Sequence, residues 1–252
     1  MVRNLAAQAE AIWPQEEPIV RAYGERHDIL DVGCGTGEIS SRLAALWPSA
    51  RVTGVDLIEA HLELARTRYA PIGERLRFQS ADAFELPFED RRFDLVVCRH
   101  MLQAVPSPER VIAEMVRVAR PRGIVHMIVE DYDMIHAAAP GVDVSPFWHV
   151  APRIFGGATG TDLHIGRNAH HHLRALPVDD VRVEYAIVDT QRVARETLAA
   201  VFEAWRDGYS DAIAGYLGWS LADVRAQFDA TIGCVRRGYA VWFVPIVSAR
   251  VR

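Results

Sequence analysis

Three glycines and two carboxylates stand at spacings suited to holding a nucleoside. In Asp31-Val32-Gly33-Cys34-Gly35-Thr36-Gly37 the glycines alternate directly after an acidic residue. Glycine tolerates positive φ and lets backbone approach a ligand that a Cβ would hold away. Asp56 closes the sequence Arg51-Val52-Thr53-Gly54-Val55-Asp56, about 20 residues beyond the loop, where a carboxylate accepts both hydroxyls of a ribose. A dinucleotide fingerprint reads G-x-G-x-x-G, with a pyrophosphate on the helix N-terminus. This loop reads G-x-G-x-G, one residue short, which counts against a nicotinamide dinucleotide.

Three histidines, His100, His136 and His149, stand as general-base candidates, because imidazole titrates near neutral pH. Gln103, Tyr132, Trp148, Arg153, Arg206 and Tyr209 stand as candidates for the wall of a substrate site. Six of the ten histidines fall between positions 136 and 172, so a metal has to be considered. His170, His171 and His172 are consecutive, and on a helix they face three directions. No cysteine or carboxylate completes a ligand spacing, and no metal is expected.

The elements that must position these residues alternate between short apolar runs and helical patterns. Strands are expected at 29–32, 51–56, 76–80, 92–98, 123–130, 181–189 and 239–249. Helices are expected at 38–46, 61–69, 108–119, 195–213 and 221–235, and 164–173 reads as the entry to a helix packed on the sheet. Arg120-Pro121-Arg122-Gly123 ends one helix with proline and glycine in suitable places. Ahead of the first strand, residues 6–12 favour helix, Trp13-Pro14 interrupts, and 18–23 begins a second short helix. Residues 137–164 are rich in proline, glycine and aromatics and read as a long irregular stretch. Such a stretch inside a compact domain is usually functional, and its aromatic content argues against disorder.

Together with the glycine loop, three further stretches carry a family resemblance. They are Ala81-Asp82-Ala83-Phe84-Glu85-Leu86-Pro87-Phe88, then Phe93-Asp94-Leu95-Val96-Val97 running into Cys98-Arg99-His100-Met101-Leu102-Gln103, and the phrase from Glu114 to Val129. In this order they resemble class I S-adenosylmethionine-dependent methyltransferases, in the branch acting on small molecules and quinones. The resemblance covers about 27–130 and implies a doubly wound α/β fold: a mostly parallel seven-stranded sheet with an antiparallel last strand, plus lid insertions. It implies S-adenosylmethionine as cofactor and S-adenosylhomocysteine as product. On the matching positions, Asp31, Gly33, Cys34, Gly35 and Gly37 wrap the methionine part, with Asp56 and Leu57 at the ribose. Asp82 and the Ala83 N–H meet the adenine, and Cys98 and Arg99 flank the methionine. The Asn/Asp-Pro-Pro-Tyr/Phe signature of amide and base methylation is missing at Cys98-Arg99-His100-Met101, which argues against DNA or protein amide substrates.

The expected organisation is one domain over 1–252. Segment 1–26 supplies helices covering the cofactor, with Trp13, Arg21 and Tyr23 as candidates and Arg21 available for its carboxylate. Segments 131–172 and 190–237 supply a lid over the acceptor. Trp205 and Phe202 read as core packing. The expected reaction is methyl transfer to oxygen or nitrogen of a small organic acceptor. Two rival readings are a non-catalytic S-adenosylmethionine- or S-adenosylhomocysteine-binding regulator or partner subunit and an NAD(P)-dependent oxidoreductase. The net charge of −5 argues against nucleic acid, since phosphate neutralisation needs a basic face. No apolar stretch approaches the ~20 residues that span a bilayer. The start lacks an apolar signal region, and the three cysteines form no disulfide framework, so a reducing cytoplasm is expected. A homodimer is compatible with this composition.

Overall fold

The structure is a computed structural model and describes residues 2–252. Its centre is one twisted sheet. β1 (Asp28–Val32), β2 (Arg51–Asp56), β3 (Leu76–Ser80), β4 (Phe93–Arg99) and β5 (Ala119–Ile128) run parallel. Their order across the sheet is β3-β2-β1-β4-β5. β1 therefore pairs with β2 on one side and β4 on the other, and the chain's winding reverses between them. Ligands of open α/β sheets bind beyond the carboxyl ends of the strands at this reversal.

Burial on both faces explains the near-continuous apolar strands. The pleat sends Ile29, Leu95 and Val97 to one face, where they pack on Trp13 of α1 (Val2–Arg21) and Leu43 of α2 (Glu38–Leu46). Leu30, Val32, Val96 and Cys98 go to the other, against Ile112 and Met115 of α4 (Pro108–Val118) and Ile165 and Leu173 of α6 (Ile165–Arg174). Between these helices in chain order lie α3 (Glu59–Tyr69) and α5 (Ser145–Thr159).

The sheet continues through β9 (Tyr239–Val251), which runs antiparallel to β5, and β8 (Val178–Asp189) pairs along the far edge of β9. These complete the seven expected strands. Two short strands extend them: β6 (Ile135–Ala139) pairs with the first part of β9, and β7 (Val142–Asp143) pairs with β6. α7 (Arg195–Leu217) and α8 (Leu221–Arg237) lie between β8 and β9 and run slightly past their expected ends.

Two local expectations are corrected. α1 is one helix of 20 residues passing through Pro14 and Pro18. These prolines lie four apart with Glu10, all three exposed, so the carbonyls they leave unpaired meet water and the helix tolerates them. The stretch 137–164 is not irregular either. Phe147, Trp148, Ala151, Pro152 and Phe155 recur at helical spacing and make one face of α5, with Pro146 in its first turn. The prolines and glycines mask that periodicity in the sequence.

Candidate active site

The glycine loop joins β1 to α2 with positive φ at all three glycines: 71° at Gly33, 53° at Gly35 and 83° at Gly37. The Gly33 and Cys34 N–H groups both donate to the Val55 carbonyl, and the Gly35 N–H donates to Asp56 Oδ2 at 2.8 Å. The other Asp56 oxygen accepts from the Ile58 N–H at 2.9 Å. Each carboxylate oxygen keeps a lone pair, and the side chain is 12% exposed at the loop's edge. Beside it Leu57 is 72% exposed and Ile58 is 47% exposed. Two bare aliphatic side chains next to a carboxylate suit a flat ring and its sugar. The Ala81 N–H donates to the Asp56 carbonyl, which ties the corner holding Asp82 and Ala83 to the same rim. Asp82 is exposed and accepts from the Phe84 N–H at 2.9 Å.

Asp31 lies beneath the loop, 2% exposed, and accepts from Ser40 Oγ at 2.6 Å. Burial pushes its carboxyl up to about 6, against the Ser40 hydrogen bond and the Arg99 charge. Burial also holds the Cys34 and Cys98 thiols well above their ordinary value, so both are packing groups rather than thiolate nucleophiles. α1 covers the loop. Leu5 packs against Gly35, and Asn4 and Gln8 are buried with Oδ1 and Oε1 unpartnered among the described residues. The three α1-region residues expected near the cofactor stand elsewhere. Trp13 is in the core, the Tyr23 hydroxyl meets His126 Nδ1 at 2.8 Å, and the exposed Arg21 pairs with Glu17. Arg21 lies about 24 Å along the helix from Leu5 at 1.5 Å per residue.

At the end of β4, His100 adopts φ of 54° and its Nδ1 lies 2.6 Å from Glu130 Oε1. Gln103 donates from Nε2 to the His100 carbonyl, its buried Oε1 has no partner among the described residues, and the side chain lines a cavity of about 430 Å³. α5, α7 and α8 close this cavity. Tyr132, Phe147, Trp148, Phe155, Trp205 and Phe228 form an aromatic wall, with Tyr209 beside them. Among the described lining residues none is Asp, Glu, Lys, Arg or His. Tyr132 stacks parallel to Trp148 at 6.4 Å and meets the edge of Trp205 at 5.4 Å.

Gln103, Tyr132, Trp148 and Tyr209 are therefore brought together, whereas four other predicted residues face away. His136 sits exposed on β6 against Phe243. His149 and Arg153 lie four apart on the outer face of α5, with Arg153 bonded to Asp133. Arg206 leaves its neighbour Trp205 to face the wall and pairs with Asp207 and Asp229. Trp205, read from sequence as core, is both buried and part of the wall. Glu130 was missed because nothing local marks it; only the pairing of β4 with β5 brings it to His100. Asp131, Asp133 and His164 come close enough to hold a metal, but Arg167 donates to both carboxylates and Arg153 donates to Asp133. That cluster is an ion-pair network.

Residues 30–127 match the methyltransferase domain family. This stretch is similar to a methyltransferase domain. The O-methyltransferase cnsE of Penicillium expansum is 37% identical over 116 residues, which is 44% of this chain and 41% of that protein. The ubiquinone/menaquinone biosynthesis C-methyltransferase UbiE of Desulfotalea psychrophila is 38% identical over 95 residues, 38% of each chain. The chain thus spans about two-fifths of the length of these curated relatives. Phosphoethanolamine N-methyltransferase 2 of Haemonchus contortus, solved with S-adenosyl-L-methionine, shares the fold with a TM-score of 0.59. It is 17% identical, over 95% of this chain and 52% of that one. The matched stretch ends at 127, so α5, α7 and α8, which close the cavity, lie beyond it. Among the described residues no helix is long and apolar enough to cross a membrane.

Proposed function

We propose that the chain transfers the methyl group of S-adenosylmethionine to oxygen or nitrogen of a small organic acceptor and releases S-adenosylhomocysteine. One observation carries this reading: the glycine loop follows β1 and the cavity residue Gln103 follows β4, so both stand beyond the same ends of two paired parallel strands. The loop suits the cofactor: Asp56 and the exposed Leu57 stand at its edge, and polar atoms of Asn4 and Gln8, without a partner among the described residues, are buried on the covering helix.

Asp56 and Leu57 would hold the ribose and ring, and Asp82 with the Ala83 N–H the adenine edge. Gly33, Cys34, Gly35 and Gly37 would follow the methionine, with Asp31 below and Cys98 and Arg99 alongside. When bound, the cofactor supplies an electrophilic methyl group. The chain's work is to orient the acceptor and exclude water, and orientation alone contributes several kcal/mol. The absence of charged groups in the described lining supports an uncharged acceptor, since an unpaired charge buried there would be costly. The O-methyltransferase relative supports oxygen as the atom. We place the protein in the cytoplasm, without a nucleic-acid partner.

Calorimetry with S-adenosylmethionine, S-adenosylhomocysteine and NAD tests the cofactor. Binding of the first two and not NAD is expected; NAD alone would overturn the reading. Turnover of methyl-labelled cofactor against a metabolite panel then separates an enzyme from a binding subunit.

A further inference from the structure

Among the described residues β8 pairs with β9 and with no other strand, so its far side is an open edge of the sheet. In an antiparallel pair, residues bonded to the neighbour alternate with residues whose N–H and C=O turn away. The Ile187 N–H donates to Gln15 Oε1 and the Ile187 carbonyl accepts from Gln15 Nε2, both at 2.9 Å. Odd-numbered residues of β8 therefore turn away from β9, in agreement with the Thr190 N–H reaching back to the Ala240 carbonyl. One side chain of α1 thus caps the edge at Ile187. At the other end a register shift between Asp179 and Arg182, with φ of 51° at Asp180, interrupts the ladder. Between cap and bulge, Val183 and Tyr185 leave their outward N–H and C=O groups without a partner among the described residues. A bare strand edge of this kind is a template for another strand. All four residues from Arg182 to Tyr185 are exposed, Val183 at 39% and Tyr185 at 48%. Arg182 and Glu184 form no ion pair among the described residues, and the neighbouring Arg250 is taken by Asp180.

We propose that two copies of the chain pair through this edge, β8 against β8, antiparallel about a two-fold axis at Val183. Charge selects both the partner and the register. Outward-facing residues must meet outward-facing residues, so within 181–185 the axis falls on one of the residues. An axis at Arg182 sets two guanidinium groups against each other, and an axis at Glu184 opposes two carboxylates. Like charges directly opposite are destabilising. An axis at Val181 or Tyr185 runs the strands into the bulge or into Ile187, whose backbone Gln15 already holds. Only Val183, the midpoint of the open window, avoids all of these. There the two Val183 residues exchange two N–H···O bonds. Arg182 stands opposite the partner's Glu184 and Glu184 opposite the partner's Arg182, at positions where cross-strand side chains approach most closely. Tyr185 meets the partner's Val181, an aromatic and β-branched pair of the kind that stabilises paired strands. The same patch is used twice, so the contact closes at two copies. A strip this short buries less than the ~1,200 Å² of a standard interface, so association should be weak, with a dissociation constant on the order of 10–100 μM.

Sedimentation equilibrium of the full chain, loaded from about 5 to 500 μM to bracket that constant, should show reversible association of monomer to dimer. Arg182→Glu and Glu184→Arg should each weaken dimerisation at least tenfold, because each sets like charges opposite in the Val183 register. Mixed together, the two variants should pair with each other, since one then carries two carboxylates on the edge and the other two guanidinium groups. The double exchange, Arg182→Glu with Glu184→Arg, should dimerise like the parent. Val183→Pro removes the central N–H, which points away from β9, so the variant should keep its circular dichroism spectrum and lose dimerisation. In the wild type the Val183 amide should exchange with solvent more slowly as protein concentration rises. The proposal is overturned by a monomer across the whole range, by dimerisation that survives Val183→Pro, or by failure of the mixed variants to pair. Where a variant does not fold, the wild-type amide decides: exchange at Val183 that is independent of concentration also overturns it.

Discussion

Glu16 Oε2 of α1 lies 3.0 Å from the Arg99 guanidinium at the end of β4, with side chains 1% and 6% exposed. This buried pair latches the covering helix onto the strand that ends at the proposed transfer point. His126 Nε2 joins the same carboxylate at 3.1 Å, and Tyr23 meets the other ring nitrogen. Removing one member of such a pair leaves the other charge buried and uncompensated. Glu16→Gln should therefore cost about 3–5 kcal/mol, while Glu16→Leu combined with Arg99→Met should recover most of it. Urea unfolding checks both. Burial alone would raise the Glu16 carboxyl, but Arg99 and then His126 outweigh it and hold it below its ordinary value near 4.5. A depressed folded value means the stabilisation is present above pH 4.5 and is lost as pH falls through the lower, folded value. The urea midpoint of the wild type should drop there more steeply than that of the double variant.

Asp31 works in the opposite sense. Its carboxyl is pushed up to about 6 by burial. A raised folded value means its favourable contribution is present below about pH 4 and is lost as pH rises through 6. Asp31→Asn keeps an oxygen for the Ser40 hydroxyl and removes the buried charge. It should stabilise the ligand-free protein at pH 8 by on the order of 1–3 kcal/mol. A carboxylate kept at such a cost beneath the cleft implies a ligand that benefits from it. The same variant should bind S-adenosylhomocysteine at least tenfold more weakly by calorimetry. Unchanged affinity would show that Asp31 only shapes the loop.

Gly35 tests the loop itself. Its φ is 53°, and an added Cβ would meet only the end of the Leu5 side chain at 2.8 Å. Leu5 can rotate away, so the backbone term decides: an alanine held in the left-handed region costs about 1–2 kcal/mol. That is too little to unfold the chain and enough to displace the N–H that donates to Asp56. Gly35→Ala should keep its circular dichroism spectrum and lose about tenfold or more in S-adenosylhomocysteine affinity.

The first half of the chain was more legible than the second. The glycine spacing, the carboxylate at the tip of β2 and the apolar strands are local signals, and each is written within a dozen residues. The last strand and the two long helices before it also follow from periodicity, while the strand's antiparallel direction came from the family resemblance. α5 did not, because Pro146, Pro152, Gly156 and Gly157 look like breakers although Trp148, Ala151 and Phe155 already form a stripe. The histidines show a deeper limit. His100, His136 and His149 are chemically alike in sequence, and only strand pairing and helix phase separate a buried, oriented imidazole from two at the surface. Glu130 had no local mark at all; its partner lies 30 residues away, just past the end of the neighbouring strand.

That separation gives the last prediction. Trp148, Ala151, Pro152 and Phe155 turn one face of α5 to the cavity, so His149 and Arg153 necessarily turn to the other. His136, His149, Arg153 and Arg206 should each tolerate alanine with little change in transfer to any acceptor found. Arg153 gives up an ion pair that is 63% exposed on its side, and such a contact contributes about 0–1 kcal/mol. Ala151→Phe, by contrast, puts a ring into the 430 Å³ space. Overpacking of this kind costs about 1–3 kcal/mol, which the fold should survive. It should block acceptor entry and lower kcat/KM by a hundredfold or more, with S-adenosylhomocysteine affinity within twofold of the parent. Loss of transfer in His149→Ala together with normal transfer in Ala151→Phe would move the acceptor from the aromatic cavity to the outer face of α5.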